Sequence, residues 1–111
     1  MESADTIGTA MELIANAGDS RSFAMEAIMQ AKGGDIVGAR EALQNAKEAM
    51  VEAHDVQTEL LRAELSEDST KKAELTLLMV HAQDHLTMAL LMRDIAAEFI
   101  DLYETLEQKR S

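Results

Sequence analysis

The sequence predicts an all-α fold, an antiparallel bundle of three helices, and three observations support this prediction. Proline is absent, aromatic residues make up only 3% of the chain, and Ala, Leu, Met and Glu are abundant. This is the composition of a helical protein. Apolar residues also recur at helical spacing and not in the alternation typical of strands. With 111 residues, the chain is expected to form a single domain, residues 1–111, around one core.

The first two predicted helices are joined by a short turn. Gly33 and Gly34 are expected to end the first helix, and Asp35 is well placed to cap the second. Gly18, which is unfavourable within a helix, lies partway along the first. The apolar stripe of the first helix consists of Ile7, Met11, Ile14, Ala17, Met25 and Ile28. The stripe of the second consists of Ile36, Ala39, Leu43, Ala46, Met50, Ala53, Gln57 and Leu60.

The third predicted helix runs from about residue 71 to residue 107 and is apolar on two faces. It follows a break in periodicity at residues 64–69, which predicts a loop with a helix cap at Ser69 or Thr70. A helix needs one apolar stripe to face two neighbours, so a second stripe predicts self-association along this helix. At roughly 55 Å it is also expected to be the longest of the three. One stripe consists of Leu77, Val80, Asp84, Met88, Leu91, Ile95 and Leu102, and the other of Leu75, Leu78, Ala82, Leu86, Ala89, Phe99, Tyr103 and Leu106.

Polar residues interrupt these stripes at neighbouring positions. His81, Asp84 and His85 lie within one turn of the third helix, at spacings that make their side chains neighbours. On the second helix, Gln57 falls inside the stripe and His54 borders it. If the third helix folds back from a loop centred near residue 67, Gln57 lies level with about residue 77 and His54 with about residue 80. His54, Gln57 and His81 are therefore expected to share one layer of the bundle.

Arg21 of the first helix is another polar residue on an apolar face. It falls nearer the level of residue 88, on the order of 10 Å from His81 along the bundle axis. An arginine in such a position usually pairs with a carboxylate or with a helix C-terminus. Arg21 is therefore predicted to support helix packing or partner docking, and not to act in chemistry at His81.

The polar turn of the third helix allows four interpretations. A histidine among apolar neighbours is most often a hydrogen-bonded core residue, but three polar groups in one turn cost stability unless something compensates. His81 and His85 have the spacing of a zinc pair, although Ala82 stands where a metalloprotease helix carries glutamate. A neutral imidazole can also be the nucleophile in phosphoryl transfer. Finally, Asp84 can set the register of a seam between chains. Periodicity alone does not choose among these.

Composition excludes several classes of partner and compartment. A net charge of −11 argues against nucleic acid and anionic membranes, and it favours a basic or neutral protein partner. The absence of cysteine excludes disulfides, thiol chemistry and zinc–thiolate sites. No apolar run approaches the ~18 residues that span a bilayer, and residues 1–5 lack the basic start of a signal peptide. The protein is therefore expected to be cytoplasmic, without insertion into a membrane.

Segments on all three predicted helices resemble the lactose/cellobiose-type IIA family of bacterial sugar phosphotransferase systems. These segments are residues 16–22 with the later Gly34-Asp35 pair, residues 52–58 and, most specifically, residues 80–86 with the sequence Val-His-Ala-Gln-Asp-His-Leu. The segments occur in the order of the family, and the resemblance covers about residues 7–107.

The resemblance implies a homotrimer in which parallel third helices pack around a three-fold axis. It implies that His81 is phosphorylated on Nε2 by the phosphocarrier HPr. The phosphoryl group then passes to a cysteine of the IIB component, for uptake and phosphorylation of a β-linked disaccharide. Asp84 is expected near the trimer axis, where it binds a divalent metal, with Mg²⁺ the expected ion. The matched motif implies that Gln83 and His85 are neighbours of the active site. His54 and Gln57 are expected to be further neighbours from the shared layer, and the resemblance leaves their roles open.

One alternative of another class stays open at this point. The same residues would suit a non-enzymatic trimeric bundle whose polar turn binds a metal or fixes the register of the helices. The two hypotheses differ in whether His81 accepts a phosphoryl group.

Overall fold

The computed structural model describes residues 4–110 and consists of three long helices. Helix α1 spans Ala4–Lys32, α2 spans Ile36–Leu65 and α3 spans Leu77–Arg110, with one 3₁₀ turn at Ser69–Lys71. No strand occurs in the described part, so the prediction of an all-α three-helix bundle is confirmed. With 34 residues against 29 and 30, α3 is the longest helix, as predicted.

The bundle is a rod of 61 × 22 × 18 Å. None of its helices, within residues 4–110, combines the length and the apolar character needed to cross a membrane. Residues 1–3, which belong to the N-terminal segment that lacks the basic start of a signal peptide, lie outside the described range.

The turn between α1 and α2 forms as the sequence predicts. Gly34 adopts a left-handed backbone conformation (φ 93°), which suits glycine, and the Asp35 amide donates to the Gln30 carbonyl at 2.9 Å. The Asp35 carboxylate accepts a hydrogen bond from the Gly38 amide at 2.8 Å and so caps α2. A Cβ atom at Gly38 would collide with the Asp35 side chain, so glycine leaves room for this cap.

Helix α3 begins later than predicted. Its first residue is Leu77, whereas the sequence pattern placed the start near residue 71. The hydroxyl of Thr76 accepts a hydrogen bond from the Met79 amide at 3.1 Å, which satisfies a free donor of the first turn. Leu75 was assigned to an apolar stripe of this helix, but it precedes the helix and is exposed.

A 3₁₀ turn occupies the residues where α3 was expected to begin. The sequence predicted the N-cap of α3 at Ser69 or Thr70. This prediction is wrong, because both residues lie in the 3₁₀ turn, which Asp68 caps, and α3 begins only at Leu77. The Asp68 carboxylate accepts hydrogen bonds from the Thr70 hydroxyl at 2.6 Å and the Thr70 amide at 3.0 Å, and these bonds lower the pKa of Asp68. Such side-chain hydrogen bonds stabilise a turn conformation of the backbone in competition with the helix. This explains why α3 begins at a later residue than the sequence predicted.

The core of the bundle is built largely of alanine. α1 packs against both α2 and α3, which meet each other over a smaller surface. Small side chains let the helices approach closely, and the buried Ser20 hydroxyl links α1 to α2 by donating to the Ala46 carbonyl at 2.8 Å. The buried residues form two clusters along the rod, each with contributions from all three helices. The largest fully buried apolar side chains are Leu13, Met50, Leu86 and Ile100.

The buried face of α1 is not the stripe that the sequence predicted. Only Ala17 of that stripe is fully buried, and its larger members Ile7, Met11 and Met25 are exposed. The prediction is wrong because it followed hydrophobicity, whereas close packing between two helices admits mainly small side chains. The stripe predicted on α2 is confirmed over its central part. The buried α1 residues are Ala10, Leu13, Ala17, Ala24, Ala27 and Ala31, and those of α2 include Ala39, Leu43, Ala46, Met50 and Ala53.

Helix α3 has one buried and one exposed apolar face, as the double stripe predicts. Phe99 was assigned to the buried stripe but is exposed, and Ile100 is buried instead. Phe99 lies ten residues beyond Ala89, which rotates it about 80° away from the buried face at 3.6 residues per turn. Leu106 was misassigned in the same way. Ile95 of the predicted stripe is half-buried. The exposed face, here called the seam face, consists of Leu77, Val80, Asp84, Met88, Leu91 and Leu102.

Candidate functional site

Two histidines form a pair on α3. The Nε2 atoms of His81 and His85 are 3.0 Å apart, within hydrogen-bonding distance. The ring centroids are 4.5 Å apart and the ring planes meet at 84°. His81 is exposed and His85 is half-buried. When one Nε2 carries a proton, it can donate to the lone pair of the other, and this hydrogen bond would hold the exposed His81 ring against His85.

Asp84 lies on the seam face, between the two histidines in sequence. Its side chain is exposed and makes no hydrogen bond or ion pair with another residue of the described chain. Among residues 4–110, no group of three or more His, Cys, Asp or Glu side chains is arranged to hold a metal ion. One chain therefore supplies only a single carboxylate at this position, and an ion bound there would need carboxylates from other copies.

Gln57 and Gln83 connect α2 to α3 near the histidines. The Gln57 Nε2 atom donates to Gln83 Oε1 at 3.0 Å, and Gln83 Nε2 lies 3.8 Å from the Met79 sulfur. The predicted register placed Gln57 level with about residue 77, six residues and about 9 Å short of its true neighbour. Gln57 thus contacts Gln83 and not His81, because the longer connection between the helices shifts α3 along α2.

The remaining two polar residues, His54 and Arg21, form no hydrogen bond with the histidine pair in the part of the chain that the structure describes. The His54 ring is exposed and has no hydrogen-bond partner in the described range, although its backbone carbonyl accepts from the Thr58 hydroxyl at 3.0 Å. No hydrogen bond within the described range joins His54, Gln57 and His81 to one another, so their expected common layer stays a prediction. Arg21 is exposed beside Met25 in a shallow cleft on the outer face of α1 and forms no ion pair within residues 4–110. The carboxylate partner expected for Arg21 is thus missing from the described chain.

Contacts between charged groups of different helices could not be predicted from the sequence. The side chains of Glu12 on α1 and Glu52 on α2 share a hydrogen bond, which together with the like charge of Glu52 raises the pKa of Glu12. Arg40 of α2 binds Glu104 and Asp101 of α3 at 2.9 and 3.4 Å. These pairs join residues far apart in the chain, so no local spacing signals them.

The sequence matches the family described as "PTS system, Lactose/Cellobiose specific IIA subunit" over residues 8–104, where PTS stands for phosphotransferase system. The chain belongs to this family. It is 50% identical over 99 residues to the lichenan-specific phosphotransferase enzyme IIA component of Bacillus subtilis (strain 168), a match that covers 89% of this chain and 87% of that protein. The resemblance found in the sequence is therefore confirmed.

Solved structures of IIA proteins have the same fold as this IIA chain. The crystal structure of the PTS cellobiose-specific enzyme IIA from Bacillus anthracis matches with a TM-score of 0.88 and 47% identity, over 98% of this chain and 96% of that one. The solution structures of the IIA(Chitobiose)–HPr complex of the Escherichia coli phosphotransferase system match with a TM-score of 0.77 and 36% identity, over 95% and 99% of the two chains. The chain is thus a IIA component of a sugar phosphotransferase system, of the cellobiose/chitobiose type.

Proposed function

We propose that this IIA chain carries a phosphoryl group on His81, which it receives from HPr and passes to a cysteine of the IIB component. The observation that supports this most is the exposed His81 ring, whose Nε2 atom lies 3.0 Å from the Nε2 atom of His85 and so has a second imidazole beside it. The similarity to an IIA protein solved in complex with HPr supports HPr as the donor. Relatives specific for lichenan and cellobiose support a β-linked saccharide as the final acceptor.

The transfer follows from the chemistry of a neutral imidazole. The lone pair on His81 Nε2 attacks the phosphorus atom of phospho-HPr, the N–P bond of HPr breaks, and a new N–P bond forms on His81. The lone pair becomes available when His85 no longer donates its proton to it. The His85 N–H can then donate to an oxygen of the transferred phosphoryl group. His85 is therefore a neighbour that assists transfer and is not itself the acceptor.

Charge and composition support the two protein partners. The chain carries a net charge of −11, which favours encounter with a partner that presents basic groups around its own phosphorylated residue. It contains no cysteine, so the thiol that receives the phosphoryl group must belong to another protein. Transfer between separate proteins fits the cytoplasmic location expected from the sequence.

The proposal includes a homotrimer built around the seam face. Leu91 and Leu102 on this face are 59% and 50% exposed, and a second and third copy of α3 would cover them. Three-fold symmetry would place three Asp84 carboxylates near the axis. There the carboxylates would lose their hydration and repel one another, and both effects are unfavourable. Carboxylate oxygens are ligands that Mg²⁺ accepts, so Asp84 from each subunit would hold the ion and the ion would offset the repulsion.

A phosphorylation assay tests the acceptor. The purified chain is incubated with enzyme I, HPr and labelled phosphoenolpyruvate, and acid-labile phosphate on the chain is counted. Wild type should be labelled, His81→Ala should keep its fold and lose all label, and His85→Ala should be labelled more slowly. His54→Ala is the matched control, since it removes an exposed histidine with no side-chain partner and should retain the label. Label on His81→Ala, or its loss in a folded His54→Ala protein, contradicts the proposal.

The same assay distinguishes the proposed phosphocarrier from the alternative, a non-enzymatic bundle. A folded wild-type trimer that accepts no phosphate from HPr would favour the alternative, in which the polar turn only binds a metal or fixes register. Sedimentation of the same sample reports the oligomeric state and separates an inactive trimer from a failure to assemble.

A further inference from the structure

We propose that the His81–His85 pair is also a site for a zinc-class divalent transition-metal ion, and that this ion and the phosphoryl group exclude each other at His81. The first half of the proposal rests only on the geometry of the two rings. The second half, inhibition of phosphoryl transfer, rests on the proposed function as well.

The two rings bring two imidazole nitrogens close enough together for one ion to bridge them. Their Nε2 atoms converge to 3.0 Å from positions one helical turn apart. A tetrahedral zinc ion with bonds of 2.0–2.1 Å to imidazole nitrogens holds those nitrogens about 3.3 Å apart. The separation of the nitrogens therefore needs to grow only slightly, and each ring must turn so that both lone pairs point at the ion and no longer at each other. Histidines four residues apart on a helix are also the spacing used by helical zinc sites.

The surroundings favour a weak and reversible site. His81 is exposed, so an ion reaches the pair from solvent, and the net charge of −11 attracts cations to the surface. Since no third His, Cys, Asp or Glu within residues 4–110 completes a ligand set, water would fill the remaining positions. Such an open site exchanges its ion readily, unlike a structural zinc site with four protein ligands.

The ligand type separates this site from the one proposed at the trimer axis. Imidazole suits Zn²⁺, Cu²⁺ and Ni²⁺, whereas Mg²⁺ prefers oxygen ligands and keeps its waters. Millimolar Mg²⁺ should therefore leave zinc binding to the histidine pair unchanged. Magnesium also provides a direct way to saturate Asp84 while the histidines are titrated.

Binding of the metal and of the phosphoryl group must be mutually exclusive because both use the same lone pair. An ion on His81 Nε2 leaves no nucleophile for phospho-HPr, and a phosphoryl group on that atom leaves only His85 for the ion. Thermodynamic linkage requires the effect to be reciprocal. The phosphorylated chain should therefore bind zinc more weakly than the unphosphorylated chain.

The experiment titrates Zn²⁺ into the untagged full chain by calorimetry, in Mg²⁺ buffer, with the fold of each variant verified by circular dichroism. Changes around metal sites typically lower the metal affinity ~10-fold or more. We therefore expect the zinc affinity to fall by at least ~10-fold in His85→Gln and in His81→Gln. His54→Ala should match wild type. An unchanged zinc affinity in His85→Gln, or a loss in His54→Ala that equals it, would overturn the binding site.

The second measurement follows the rate of transfer from phospho-HPr as zinc is added. The rate should fall at the zinc concentration that half-saturates the calorimetric site, and in His85→Gln the inhibition should shift to concentrations at least ~10-fold higher. Inhibition at the same concentration in both proteins would mean that zinc acts on HPr and would overturn the exclusion. If His81 accepts no phosphate at all, the proposed function fails, while the calorimetric result still decides whether the metal site exists.

Discussion

The two apolar faces of α3 differ in side-chain size more than in hydrophobicity. The buried face alternates alanines with larger residues, as in Ala82, Leu86 and Ala89, all fully buried. The seam face contains no alanine, and its Leu77 and Leu91 side chains are 86% and 59% exposed. Packing within this chain thus buries the face that lets helices approach closely. The bulkier face stays exposed, and in the proposed trimer it would contact the other chains.

The largest expected effect comes from shortening the same residue type on each face. Leu86→Ala should lower the free energy of unfolding by about 2–5 kcal/mol, because it leaves a cavity in a closely packed core. Leu91→Ala should instead weaken assembly, since Leu91 has few neighbours within its own chain. Urea denaturation of both variants at several protein concentrations measures this difference, because only the assembly step depends on concentration.

The assignment of the two faces would be contradicted if Leu86→Ala and Leu91→Ala lowered the free energy of unfolding equally and independently of protein concentration. The same result would mean that the seam face packs within the chain. Wild type measured over the same concentration range is the reference for both variants.

A second prediction concerns Asp84, the one charged residue on the seam face. In the proposed trimer, Asp84→Leu should stabilise the assembly by about 1–4 kcal/mol, since apolar groups would replace a desolvated cluster of like charges. Chelation of divalent ions should weaken the wild-type trimer and leave the variant unaffected. Sedimentation equilibrium with and without chelator measures both effects. A variant that dissociates into monomers would show that Asp84 does not face a trimer axis.

The smallest predicted effect lies at the edge between the two faces, where Gln83 meets Gln57. Their hydrogen bond is half-buried and should contribute about 1 kcal/mol to the free energy of unfolding. A double-mutant cycle of Gln57→Ala, Gln83→Ala and the double variant isolates that coupling from the loss of each side chain. Strictly additive losses would mean that the hydrogen bond does not stabilise the contact between α2 and α3.

Interactions between residues close in the chain could be predicted from the sequence. Gly34 and Asp35 end one helix and begin the next because the groups that bond lie within a few residues of each other. The His81–His85 pair follows in the same way from a spacing of one helical turn. These local relations fixed the three helices, the first turn and the chemistry of the candidate site.

Interactions between helices were decided only by the tertiary structure. The alanine face of α1, and not its stripe with Met11 and Met25, is buried because α1 lies between two close neighbours. Gln57 meets Gln83 because hydrogen bonds of Asp68 and Thr76 keep the chain out of helix until Leu77 and so set the register of α3. Hydrophobic periodicity records which residues are apolar, but the distance between helix axes and the path of the loop determine which of them are buried and which side chains meet.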